Sequence, residues 1–261
     1  MKSEKVNSVN KIIQPLVSSR QFQFDRRVAL SDTDPSGRLR FDACARYLQD
    51  VAAFDAIEAD VAHIGNWVLK QNSFDVMKFP TYGQCINSKT YLTGSGRAWV
   101  ERTSVISDAL TGDHLIHAKA LWVLTNLSTG APISIPQLVY QIWGPLALEH
   151  KISVRNGKRP SLPENIANLN WQLRFSDQDV LAHLNNATYL EALEQALYVD
   201  DITVPQASSA SCKITYREST SCLDPAEAYF MAQSSTEKKS MHIFFAKDDS
   251  VRTDLSVDIY N

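Results

Sequence analysis

RVALSDTDPSGRL at residues 27–39 and QLRFSDQDVLAHL at residues 172–184 are two copies of one element. Ser31, Asp32, Asp34 and Leu39 recur as Ser176, Asp177, Asp179 and Leu184, each displaced by 145 positions. Each copy leads into a helical pattern, FDACARYLQDVAAFDAIEADV (41–61) in the first half and NNATYLEALEQALYVDD (185–201) in the second. Phe41, Ala45, Leu48, Val51 and Ala52 recur at three- and four-residue steps, as do Tyr189, Ala192, Leu193, Ala196 and Leu197, the spacing of one helix face. Tyr47 and Tyr189 are 142 apart, so a short indel separates the copies. An SDxD pair arises easily by chance. The same pair followed by the same helix, twice, reads as an internal duplication.

Each unit begins with a β-rich run, Phe22–Leu30 and Trp171–Phe175. Alternating strands follow each helix. SKTYLTGS (88–95), WVERTSVIS (99–107) and HLIHAKALWVLTN (114–126) belong to the first half; CKITYRES (212–219), AYFMAQSS (228–235), SMHIFFAK (240–247) and LSVDIY (255–260) belong to the second. TGD (111–113) and STEKK (235–239) break these strands as hairpin turns. One helix and a run of antiparallel strands, twice over, is an α+β design. The expected boundaries are an N-terminal extension over 1–21, a first unit over 22–136, a linker over 137–170 and a second unit over 171–261. The linker carries Gly157, Pro160 and Pro163 with the basic residues Lys151, Arg155, Lys158 and Arg159.

Composition narrows the function classes. Of 261 residues, 44% are apolar and 21% charged, which suits a globular chain able to bury its own core. Lys plus Arg (26) against Asp plus Glu (29) leaves a net charge of −3, which argues against a general nucleic-acid binder. Glycine is scarce at 9 residues, and no GxGxxG or GxxxxGK[ST] phosphate loop is present. Cys44, Cys85, Cys212 and Cys222 form no CxxC pair, so they read as reduced thiols and no metal site is expected. The opening residues lack a signal-peptide core, and no apolar run reaches the ~18 residues of a membrane span. A cytoplasmic protein without cofactor is the expectation.

The segment SDQDVLAHLNNATYLEALEQ (176–195) resembles the acyl-carrier-protein thioesterase family, in the order Asp179, His183, Asn185–Asn186, Tyr189. SDTDPSGRLRFDACARYLQD, WVERTSVIS and ALWVLTNLSTGAP in the first half are similar to its bacterial branch. The resemblance implies two tandem hotdog units, each an antiparallel sheet wrapped around a helix, joined as a pseudo-dimer. It also implies hydrolysis of fatty acyl thioesters, acyl-acyl carrier protein in preference, with the first unit shaping the acyl pocket. Trp67, Phe74, Met77 and Phe79 are candidates to line that pocket, with ordinary core as the alternative.

The chemistry of those residues agrees with the resemblance. Thioester hydrolysis needs an activated water, donors aimed at the developing oxyanion and a dry pocket for the acyl tail. Asp179 can orient His183 and stabilise its protonated form, leaving the imidazole to take a proton from water. Backbone N–H groups near Asn185 and Asn186 are natural oxyanion donors. The competing use of Asp177, Asp179 and Asn185 is helix capping. Arg38 stands where His183 stands in the second copy, and a guanidinium cannot act as a base, so catalysis is expected in the second unit only.

Two departures from the family pattern bear on the site. The family's DxNxH reads DVLAH here, with Leu181 in place of the asparagine. Its YxxE reads TYREST, with Ser219 at the glutamate position and Glu218 one residue early, on the opposite strand face unless a bulge intervenes. Glu218 is therefore one candidate for the third catalytic group, and Glu191 and Glu194 are others. His114 and His117 share a strand face only if the strand bulges, and read as structural. The rival functions are a non-catalytic acyl- or carrier-binding protein, a general acyl-CoA thioesterase and, last, a hotdog hydratase or dehydratase.

Overall fold

The computed structural model describes residues 19–144, 150–152 and 158–260. The first half contains β1 (Phe22–Arg27), α1 (Phe41–Glu58), β2 (Asn66–Val76), β3 (Cys85–Ser95), β4 (Trp99–Asp108) and β5 (His114–Thr125). A short helix, α2 (Gln137–Trp143), follows. The second half contains β6 (Ala167–Leu169), α3 (Tyr189–Val199), β7 (Ser209–Tyr216), β8 (Glu227–Ser234), β9 (Lys238–Lys247) and β10 (Ser250–Tyr260). The ten strands form one antiparallel sheet in the order β1-β3-β4-β5-β2-β7-β10-β9-β8-β6. Read from either end the order is the same, with β2 matching β7 and each outer strand matching its counterpart. This is the α+β double-hotdog arrangement that the family resemblance implied, with the two sheets side by side.

The apolar faces of the helices account for the packing. Phe41, Cys44, Ala45, Leu48 and Val51 of α1 are buried, and so are Leu190, Leu193, Ala196 and Leu197 of α3. Except for Val51, both sets belong to one continuous core that also takes Phe74 and Ile106 from the first sheet and Ile214, Ile243 and Leu255 from the second. Small residues at Ala43, Ala45 and Ala52 let α1 lie close to the strands.

The strand that joins the halves, β2, is not evident in the sequence pattern. Its register shifts between Leu69 and Gln71 against β5, and such a bulge breaks the period-two alternation by which strands are read. Trp171–Phe175, expected as the first strand of the second half, is irregular, ending in the 3-10 turn Phe175–Asp177. The strand lies upstream, in the three residues of β6, which pair at the sheet's edge with β8. A bulge in β5 places His114 and His117 together, with ring nitrogens 3.0 Å apart. Within the expected linker, α2 buries Val139 and Trp143. Ile152 donates its N–H to Ser95 O at 3.0 Å, which ties that segment to the end of β3. Arg155, Gly157 and most of the expected N-terminal extension lie outside the described residues. No helix among the described residues is long and apolar enough to cross a membrane.

Phe74 is fully buried in β2, opposite Cys212 of β7 and in contact with the Phe41 ring at 6.4 Å between centroids. Phe74→Ala is expected to lower stability by about 3–5 kcal/mol in denaturant titration. Because the core is continuous across the seam, unfolding should remain a single transition. Two separated transitions would show that the halves unfold independently.

Candidate active site

The duplicated element folds the same way twice. Thr33 bridges Leu39, and Gln178 bridges Leu184, closing matching loops. Asp34 donates its N–H to Arg38 O at 2.9 Å, and Asp179 donates its N–H to His183 O at 2.8 Å. Each loop turns through a left-handed residue, Gly37 at φ 83° and Ala182 at φ 56°. That conformation is costless for the glycine and costs the alanine roughly 1 kcal/mol. The loop of each half faces the helix of the other, so the fold builds two related sites.

The first of these joins α1 to the second loop. A pocket of about 590 Å³ is lined by Gln49, Ala52, Ala53, Ala56 and Ile57 of α1, by Trp67, Leu92, Val100, Arg102 and Trp122 of the first sheet, and by Trp143 of α2. The second half contributes Asp179, Val180, Leu181, Asn185 and Asn186. Asp179 Oδ1 accepts the Leu181 N–H at 2.9 Å, while Oδ2 has no partner among the described residues. Asn185 Oδ1 accepts the Ala187 N–H at 2.9 Å, fixing the backbone that leads into α3. The Tyr216 hydroxyl donates to Asn186 O at 2.8 Å, and the Asn186 N–H has no acceptor among the described residues. A free carboxylate oxygen and a free backbone donor thus belong to one pocket whose wall is largely apolar.

At the matching place in the first half, which also borders a cleft, the backbone donor is already taken. Glu194, whose counterpart on α1 is Ala52, accepts the Phe41 N–H at 2.7 Å. Phe41 corresponds to Asn186 at the 145-residue offset, so a protein carboxylate occupies the donor that stands free in the other site. Arg38 clamps Glu194 through Nη1 at 3.2 Å and Nη2 at 2.7 Å, and its Nε bonds Asp34 Oδ2 at 2.8 Å. Asp34 Oδ1 also accepts the Ser36 hydroxyl at 2.7 Å. Burial works against the Asp34 charge, but the Ser36 hydroxyl and the Arg38 guanidinium outweigh it and hold the carboxyl below the usual carboxylate range.

The expected site residues are thus divided. Asp179, Asn185 and Asn186 share the pocket. His183 is in the same loop, but its side chain is exposed and is not among the pocket's walls. Glu218 lies beyond the end of β7, ion-paired with Arg159, one of the expected linker cations, and 3.9 Å from Arg252. Glu191 and Glu194 face the other site. Burial, with Asp42 nearby, raises the Glu191 carboxyl above its ordinary value. Of the apolar candidates Trp67 lines the pocket, Phe74 and Phe79 are core, and Met77 is partly exposed. The sequence reading passed over Gln49 and Arg102. Arg102 was detectable, because it falls on the same alternation as Val100 and Ile106 in β4, a face meant to be buried.

Models of the acyl-ACP thioesterase N-terminal and C-terminal domains match residues 19–143 and 161–257. A chloroplastic acyl-[acyl-carrier-protein] hydrolase of Cuphea viscosissima is 30% identical over 135 residues, which is 48% of this chain and 31% of that protein. The aligned region is thus about a third of that relative's length. An acyl-ACP thioesterase from Bacteroides thetaiotaomicron superposes with a TM-score of 0.70 at 16% identity, covering 92% of this chain and 97% of its own. The 12:0-ACP thioesterase of Umbellularia californica gives 0.69 at 20% identity, covering 92% and 93%.

Glu194→Ala gives α3 the residue that α1 carries at Ala52, and leaves the buried Arg38 with Asp34 alone. A loss of about 3 kcal/mol is expected; a negligible change would show that Asp34 suffices. The lowered Asp34 value adds a pH dependence. Its stabilisation is complete above the unfolded carboxyl value of about 4 and disappears as pH falls through the lower folded one. Denaturation midpoints of the wild type and Asp34→Asn should therefore differ at neutral pH and converge as the pH falls below about 4.

Proposed function

Because the chain belongs to the acyl-ACP thioesterase family in both of its halves, we propose that it hydrolyses fatty acyl thioesters, acyl-acyl carrier protein in preference, and releases the free acid. The observation that carries this reading is the presence of the free Asp179 oxygen and the free Asn186 N–H in one pocket, while Glu194 takes the corresponding donor in the related site. The acyl tail lies between α1 and the first sheet, where Ala52, Ala53 and Ala56 leave room and Trp67 and Trp122 supply apolar wall. The thioester carbonyl points at the Asn186 N–H. Asp179 takes a proton from water as the water oxygen attacks the carbonyl carbon, and the backbone donor bears the oxyanion. Collapse of the tetrahedral intermediate breaks the C–S bond, and the carrier's thiolate leaves as a weak base that recovers its proton from solvent.

In this reading Asp179 is the base, and His183, exposed in the same loop, passes the proton outward. Asn185 holds the donor backbone in place. Glu218 anchors Arg159 at the surface and takes no part in the chemistry. A non-catalytic acyl-binding role is the second reading, favoured by Leu181 at the family's amide position and by the exposure of His183.

The test is thiol release from acyl-acyl carrier protein and from acyl-CoA of the same chain length. Turnover of both, faster on the carrier protein, is expected. Asp179→Asn should lower kcat by about 10²–10⁴, the usual weight of a general base, and His183→Ala by less. Equal rates on both carriers would indicate a general acyl-CoA thioesterase. Binding without thiol release from either would establish the second reading.

A further inference from the structure

An apolar acyl tail needs an apolar pocket, and this one is not apolar throughout. Beside it lies a recess of about 10 Å³, room for a single small polar group, whose otherwise largely apolar wall includes Gln49, Asn72 and Arg102 together with Asn186 and Trp122. Ten buried side-chain atoms among the described residues lack a hydrogen-bond partner; three belong to residues of this recess, Gln49 Oε1, Asn72 Oδ1 and Trp122 Nε1, and a fourth, Trp67 Nε1, to the adjoining pocket. Asn72 is 4% exposed. Buried polar groups are seldom left unpaired, so their concentration beside one cavity points to a polar occupant.

Arg102 sharpens the point. It is 6% exposed, and only its Nη1 is hydrogen-bonded among the described residues, to Asp55 Oδ2 at 2.6 Å and Thr90 Oγ1 at 3.3 Å. Nε and Nη2 have no protein acceptor. A guanidinium has five N–H donors and accepts nothing, so the missing partner is an oxygen acceptor. The charge is already balanced: Asp55 and Glu58 offset Arg20 and Arg102. A neutral oxygen fits that balance, whereas a carboxylate would add an excess negative charge in the pocket.

We propose that the acyl group taken by this pocket carries a hydroxyl or ketone oxygen close to the thioester, recognised by Arg102 with Asn72 and Gln49. The oxygen lies near the thioester because Arg102 and Asn186 line the same recess. Gln49 and Asn72 act as the complementary pair, accepting from a hydroxyl or donating to a ketone. This inference rests on the reading of the pocket as the acyl site, and its test does not require turnover.

Binding of a straight-chain fatty acid and of its 3-hydroxy counterpart of equal length is measured by quenching of tryptophan fluorescence. The hydroxy acid should bind about tenfold tighter. Asn72→Leu and Gln49→Leu should each shrink the preference, and Arg102→Met should abolish it. If Arg102→Met fails to fold, the two amide variants and the wild-type comparison still decide. Equal affinity of the wild type for both acids overturns the proposal, because bridging water then satisfies the recess. The same preference for a hydroxy acid persisting in both amide variants overturns it as well. Hydrolysis of plain acyl thioesters alongside equal binding leaves the thioesterase reading intact and removes this one. A retained hydroxy preference without any thiol release does the reverse.

Discussion

The pairing of β2 with β7 is the constraint from which the rest of the structure follows. Each half ends in an unpaired strand edge, and an unpaired edge leaves a row of backbone donors and acceptors to be satisfied. Registry from Gln71 opposite Thr215 to Val76 opposite Ala210 satisfies both edges at once and fuses two sheets into one. It also fixes where each helix lies relative to the other half's loop. Neither site can therefore belong to one half. The open pocket takes its wall from α1 and the first sheet and its chemistry from residues 179–186 of the second half. A register slip at this seam would disturb both sites before it disturbed either core.

Duplication gives two sites with the same backbone, and side chains alone decide what each becomes. Where α1 presents Ala52, space is left and the Asn186 donor stays free. Where α3 presents Glu194, the carboxylate caps the Phe41 N–H and is clamped by Arg38. The two changes depend on each other. Glu194 buried beside Phe41 without Arg38 would be an uncompensated charge, and Arg38 at 2% exposure without Glu194 would lose its bidentate partner. The first-half site thus spends its backbone donor on a structural ion pair at the wall of a polar cleft, and the other keeps the shared geometry available for chemistry.

How much of this was legible in the sequence depends on whether the information is local. The 145-residue offset and the helix periodicity identified the tandem units, because both survive in the order of residues. Strand β2 did not register, since its bulge at Leu69–Gln71 removes the alternation that marks a strand. Asp179, Asn185 and Asn186 were legible as a motif, and they share the pocket. The direction of the His183 side chain was not, because it follows from a left-handed turn at Ala182 and from Leu184 bonding Thr220 O. Glu194 as the acceptor in the other site was beyond reach for a different reason. Its partners Arg38 and Phe41 lie more than 150 residues away.

The buried pair of Arg102 and Asp55 is the least economical feature of the first unit if stability is the only consideration. Taking both ions out of water costs several kcal/mol, and a well-packed apolar pair of similar volume commonly does as well or better. Asp55 recovers much of its solvation, accepting from Arg20 Nε at 2.8 Å and Trp143 Nε1 at 2.7 Å as well as from Arg102. Arg102 recovers less, with the Trp143 ring 5.5 Å from its guanidinium carbon and three of its five N–H donors, on Nε and Nη2, unmatched among the described residues. The imbalance is lopsided in space: the satisfied ion is on the helix side and the unsatisfied one faces the pocket. A fold that needed only a charge pair to tie α1 to β4 would gain nothing by leaving donors turned toward the cavity. Their placement follows instead if the contents of the pocket complete the set.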